Sequence, residues 1–246
     1  MAKGTPGARP GRGSAGARGR RPPRPTAPGR APRTPRPTPS PSPQPAPTPP
    51  AGPFRLGAVE GATPGRWIRT WEERMPRTAL ELIPLTVATQ RDAIVAGAVD
   101  IALVRQPIDR EGLQLIPLYD EVPVVVMAAD STLSAADELD AADLAGEVLI
   151  ASRDDVLGYT APGTTTPAFE ALETTADAVA TVAAGVGIAV MPMSLARLHH
   201  RKDVTYRVLR DGPVSSIALA WDADRATPLV DAFVGIVRGR TANSSR

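Results

Sequence analysis

Three threonines, an arginine and a serine hold the positions in this chain best suited to gripping a small anion. Thr63 follows the first strand-like run and stands just before a helix opened by Pro64. Thr86 and Thr89 follow the second run, ahead of the next helix. A hydroxyl so placed donates a directional bond, and the helix beyond it adds unpaired N–H groups and the positive end of its dipole. Each threonine is equally well explained as a plain helix N-cap. Arg105 closes the third strand. A guanidinium there can clamp a carboxylate through two parallel bonds, or it can pair with Asp109 or Asp120 at the surface. Ser152 ends a later strand and could reach across a closing cleft. Met191 and Pro192 would supply an apolar wall, although Met191 also suits ordinary core filling.

Catalytic and metal chemistry find little support. The chain has no cysteine, which rules out a thiolate metal site and a disulfide framework and fits a reducing compartment. His199 and His200, the two histidines, are adjacent in a segment that reads as a helix, Leu198 to Lys202. Neighbouring helical residues do not share a face, so the pair cannot ligate one metal as an i, i+4 pair would. A solvated basic helix end is expected there. Asp154-Asp155 reads as a turn or cap rather than a general acid and base. No G-x-S-x-G or Walker pattern occurs. The expectation is a protein that is not an enzyme and holds neither metal nor cofactor.

The elements that must position these side chains follow from local patterning. Phe54 to Val59, Leu80 to Ile83 and Asp100 to Arg105 read as strands, with helices after Pro64 and over Thr89–Gly97. Leu118 to Val126 reads as one long crossing strand. A short helix is expected after an Asp140 cap, a strand over Glu147–Ala151, and a helix opening at Thr175 with Thr174 or Thr175 as cap. That helix ends at Gly185, where only glycine enters the left-handed position freely. Gly187 is expected to let the chain turn sharply into a buried strand, Ile188-Ala189-Val190. Ile217 to Trp221 is a further strand, and Pro228 opens the closing helix at its first turn.

Charge is distributed unevenly. Residues 1–53 contain 17 of the 28 prolines and 10 of the 28 basic side chains, and no acidic residue precedes Glu60. Residues 54–246 therefore hold 18 basic and 26 acidic side chains, a net of −8 that the overall +2 conceals. The first 53 residues have almost nothing to bury and are expected to be a disordered Pro/Arg/Gly-rich tail. Its arginines could serve as an electrostatic arm for nucleic acid, without base stacking because no aromatic interleaves them. No run of eighteen apolar residues exists, so no transmembrane helix is expected. Prolines follow Arg20-Arg21 where an export signal needs an apolar segment, which points to a cytoplasmic location.

Three blocks together resemble the effector-binding domain of LysR-type transcriptional regulators. They are T-Q-x-x-A-I-x-x-G-x-x-D-I-A-L-V-R over 89–105, P-L-Y-D-E over 117–121 and V-A-A-G-V-G-I-A-V-M-P over 182–192. The resemblance covers roughly 54–240 and implies an α/β, two-lobed type II periplasmic-binding-protein fold. Lobe I would comprise 54–123 and 209–240 and lobe II 124–208, with 241–246 a C-terminal tail. It further implies a small effector, a carboxylate by the donors above, held between the lobes by Thr63, Thr86, Thr89, Arg105, Ser152 and Met191. Side-by-side homodimerisation is implied as well. The stretch 152–174 is shorter than in the family, and no segment here is expected to form the family's winged helix-turn-helix. Two other readings stand beside this one: a solute-binding protein of a transport system, which would need an export signal, and an arginine-tailed nucleic-acid-associated protein.

Overall fold

A computed structural model describes residues 52–239; the expected tails, 1–53 and 241–246, lie outside these residues but for Gly52 and Pro53. The chain opens with strands β1 (Phe54–Val59), β2 (Leu80–Leu85), β3 (Ile101–Arg105) and β4 (Leu113–Glu121). Helix α1 (Gly65–Arg74) joins the first pair and α2 (Gln90–Val95) the second. Then follow β5 (Pro123–Ala128), β6 (Glu138–Leu139), α3 (Thr175–Ala183), β7 (Ala189–Pro192), α4 (Met193–Leu198) and β8 (Val204–Leu209). The chain closes with β9 (Ser215–Asp222) and α5 (Pro228–Val237).

Two sheets result. The first, in lobe I, has the order β2-β1-β3-β9-β4, and the second, in lobe II, the order β6-β8-β5-β7. Strand β1 runs parallel to both β2 and β3, which is why a helix must cross between each pair. Ile101 to Val104 are fully buried, as a strand covered on both faces requires. Beneath α1 and α5, Trp71 stacks on Phe54 with ring centroids 4.4 Å apart, and Phe233 leans on both. The Trp71 indole N–H donates to the Thr78 carbonyl at 3.0 Å, so this large side chain is buried with its polar atom satisfied.

In lobe II, β5 feeds two cores. Val124 and Val126 pack toward α3, while Val125 and Met127 pack on the opposite face with Leu139 and Leu144. Local capping behaves as the sequence suggests. Thr174 Oγ1 accepts the Asp177 N–H at 3.1 Å, and Asp140 forms a reciprocal capping box with Asp143 over a short 3-10 turn. Gly185 takes φ +77° at the end of α3.

Three local readings are corrected. The single strand expected over 118–126 is two strands in different sheets, because Val122 breaks the pairing and Pro123 starts β5, where a missing N–H is tolerated. The chain returns to the first sheet across 210–214, between β8 and β9. Residues 147–151 form isolated bridges to Thr165 and Ile188 rather than a strand. Gly187, expected to let the chain turn sharply, is needed for close approach: a Cβ there would lie 2.2 Å from the Val148 carbonyl oxygen.

Candidate functional site

A cavity of about 880 Å³ opens between the two lobes. From lobe I it is lined by Ala58 at the end of β1, by Glu60, and by Pro84 to Ala88, where β2 runs into the loop before α2. From lobe II come Arg153, Asp154, Asp155, Glu173, Thr175 and Leu195. The floor is thus apolar on the lobe I side, and the polar groups crowd the start of α3.

Of the predicted residues, Thr86 lines this cavity. It is tied to Thr89: their hydroxyls lie 2.9 Å apart, the Thr86 N–H donates to Thr89 Oγ1 at 3.2 Å, and the Thr89 N–H donates to Thr86 Oγ1 at 3.1 Å. The two threonines therefore close their own loop, and Thr89 makes no side-chain cap to α2. Thr63 turns instead to the Tyr119 phenol. Burial pushes that phenol above its ordinary pKa, helped by Glu121, while the bonds from Thr63 and the charge of Arg105 pull the other way. Ser152 and Met191 line a narrow crevice inside lobe II, which shares Asp155, Thr175 and Leu195 with the cleft. Met191 packs in the β5–α3 core, as core filling would have it.

Arg105 is the largest departure. Its side chain is 2% exposed, and its guanidinium is bonded to Glu121 Oε2, Ser215 Oγ and, at 3.1 Å, the Glu60 carbonyl. The surface alternatives fare no better, since Asp109 pairs with Arg91 and Asp120 takes the Ser216 hydroxyl. The reason lies in register. Glu121 is opposite Ser215 and Asp120 opposite Ser216, and successive residues of a strand point to opposite faces, so Glu121 is buried and Asp120 is not. Gln90, almost wholly buried, locks the Arg105 backbone: its amide donates to the Arg105 carbonyl at 2.9 Å and accepts the Arg105 N–H at 2.8 Å. Sequence reading missed Gln90, Glu121 and Ser215. The first two sat inside the blocks quoted above; Glu121, a carboxylate just ahead of an apolar run, was an available signal, while Gln90, among polar residues at the start of α2, offered none.

In lobe II, Asp154 accepts the Thr175 N–H at 3.1 Å and its hydroxyl at 2.9 Å, at the first turn of α3. Burial alone would raise this carboxyl, but bonds from Ser152 and Thr175 outweigh it and hold the pKa below the ordinary aspartate value. The helix end facing the cleft therefore already carries an anion of its own. Arg153 is paired with Glu173 at 2.9 Å and Glu170 at 3.6 Å. The histidines are placed differently than expected. Helix α4 ends at Leu198, and His199 Nε2 lies 3.5 Å from Glu60 Oε1 across the rim of the cleft, its side chain 17% exposed. His200 is exposed.

Comparison with known proteins bears on this arrangement. A family model described as the LysR substrate binding domain matches residues 47–242. The Hca operon transcriptional activator HcaR of Escherichia coli K12 is 26% identical over 181 residues, 69% of this chain and 60% of HcaR. The regulator CatR of Pseudomonas putida is 30% identical over 168 residues, 64% of this chain and 57% of CatR. The chain thus spans about 60% of the length of such curated relatives. Among solved structures, the reduced OxyR regulatory domain of Pseudomonas aeruginosa superposes with a TM-score of 0.61 at 24% identity, covering 77% of this chain and 96% of that one. The BenM effector binding domain with its effector benzoate gives 0.64 at 18% identity, covering 79% and 96%, and like the OxyR domain shows likeness of fold.

Proposed function

We propose that the chain, which belongs to the LysR substrate-binding domain family, senses a small effector between its lobes and passes the resulting lobe movement to transcriptional control. The observation that carries this reading is the cavity of about 880 Å³ shared by both lobes, at the carboxyl ends of β1 and β2 and at the start of α3. Loops at strand ends and a helix N-terminus are where an α/β fold leaves backbone donors free to meet a ligand. Just two chain crossings, at Val122 and 210–214, join the sheets, so a ligand touching both lobes biases their relative position by its differential affinity for the closed form.

A carboxylate effector would meet no free guanidinium here among the described residues, since Arg105 is buried beneath the cleft and paired with Glu121, and Arg153 is held by Glu170 and Glu173. Homodimerisation and a cytoplasmic location accord with the family and complete the reading. The ten basic side chains of residues 1–53 add a sequence-independent attraction to phosphate backbones.

A thermal-shift screen of the full chain against organic acids, amines and amino acids tests the proposal. A ligand at a hundred times its Kd stabilises by about 2.7 kcal/mol. For a domain of this size that raises Tm by roughly 5–11 °C. The reading stands if a small molecule does this and Leu195→Trp, which fills the cleft, removes the shift. It falls if none of the three classes stabilises the protein.

A further inference from the structure

We infer that the effector taken by this cleft carries a protonated amine on an apolar body. The inference rests on the reading of the cavity as the effector site and concerns which chemistry that site accepts. Four carboxylates line it, from Glu60, Asp154, Asp155 and Glu173, against the one guanidinium of Arg153. Arg153 and Glu173 satisfy each other at 2.9 Å, which leaves the other three. Asp154 holds the position at the start of α3 that an anionic ligand would need, donated to by the Thr175 N–H and hydroxyl. An acid entering the cleft would have to displace it or lie beside it. Arg105, beneath the lobe I wall, is paired with the buried Glu121 and also bonded to Ser215 and the Glu60 carbonyl.

Glu60 and Asp155 belong to opposite lobes, and both border the same space. Like charges on the two lobes oppose closure. An ammonium between them is attracted by both and favours the closed form, so one group would account for both recognition and the conformational response. The His199 imidazole, with Nε2 3.5 Å from Glu60 Oε1, faces this carboxylate across the rim. Pro84, Leu85, Val87 and Leu195 offer the apolar surface for the rest of the ligand.

The test is calorimetric titration of the full chain with matched pairs of probes, phenethylamine against 3-phenylpropanoate and n-hexylamine against hexanoate. Amine binding is expected with the paired acids inactive, with affinity falling as salt rises. Glu60→Gln and Asp155→Asn should each weaken amine binding roughly tenfold or more, as the loss of a charge-assisted bond does. The amide in Asp155→Asn can still accept the Leu157 N–H that Asp155 now takes at 2.9 Å, so the loop should survive. If the acids bind, Leu195→Trp abolishes that binding and the amines are inert, the charge assignment is overturned while the effector site stands. Amine affinity unchanged in both carboxamide variants also overturns it. If neither class binds, this inference fails; the effector reading fails with it only if the thermal-shift screen is blank as well.

Discussion

Arg105→Met separates two roles that the sequence left open for this arginine. In the structure its guanidinium bridges Glu121, the last residue of β4, to Ser215, the first residue of β9, and also holds the Glu60 carbonyl in the loop after β1. Both side chains of the ion pair are at most 5% exposed. Removing the arginine strands a carboxylate that is almost closed off from solvent, which costs about 3–5 kcal/mol. That is a large share of the roughly 5–15 kcal/mol that holds an ordinary domain folded. With a urea m-value of about 2 kcal/mol/M, the midpoint should fall by roughly 1.5–2.5 M. Glu121→Leu should cost a similar amount for the mirror reason. The double variant, with two apolar side chains of similar bulk, should recover most of the loss, because a buried ion pair replaced whole is often neutral. Ser215 and the Glu60 carbonyl still lose their donor, so a residual deficit of about 1–2 kcal/mol is expected. Urea denaturation of the four proteins gives the cycle. If Arg105→Met loses less than about 1 kcal/mol of stability yet abolishes effector binding, the guanidinium serves the ligand and the reasoning is wrong.

Three further outcomes can be measured. Gly187→Ala should destabilise by about 1–3 kcal/mol, because its Cβ would lie 2.2 Å from the Val148 carbonyl oxygen and backbone must move; Gly185→Ala, open to solvent but at φ +77°, should cost only about 1 kcal/mol in the same denaturation assay. The Asp154 carboxyl titrates below its ordinary value in the folded protein, so the stability it adds is complete above the unfolded pKa of about 3.9 and drains as pH falls through the lower folded value; Asp154→Asn should flatten that acid limb of the stability profile. The full chain should bind duplex DNA weakly and without sequence preference, with log K falling against log salt by a slope no steeper than about −9, and deletion of residues 1–52 should abolish the binding while thermal unfolding persists.

The parts of this protein that the sequence by itself determined are those governed by a residue's own dihedrals and its nearest neighbours. Thr174 capping α3, Asp140 capping its 3-10 turn, Gly185 at a left-handed helix end and Pro228 in the first turn of α5 were all legible one segment at a time. So were β1, β3, β7 and β9, whose apolar runs need no knowledge of their partners, and the three blocks that carry the family likeness. Tertiary structure decided everything that depends on which strand lies beside which. The apolar run through Val122 does not reveal that the chain changes sheets there, since both sheets bury the same kind of side chain. Arg105 pairs with Glu121 and not its neighbour Asp120 because the β4–β9 register turns one carboxylate inward and the other out. The charge of the cleft arises from Glu60 in one lobe and Asp154, Asp155 and Glu173 in the other, brought together by folding from far apart in the chain. Coulomb interactions and burial depend on distance in space, and no local pattern encodes that distance.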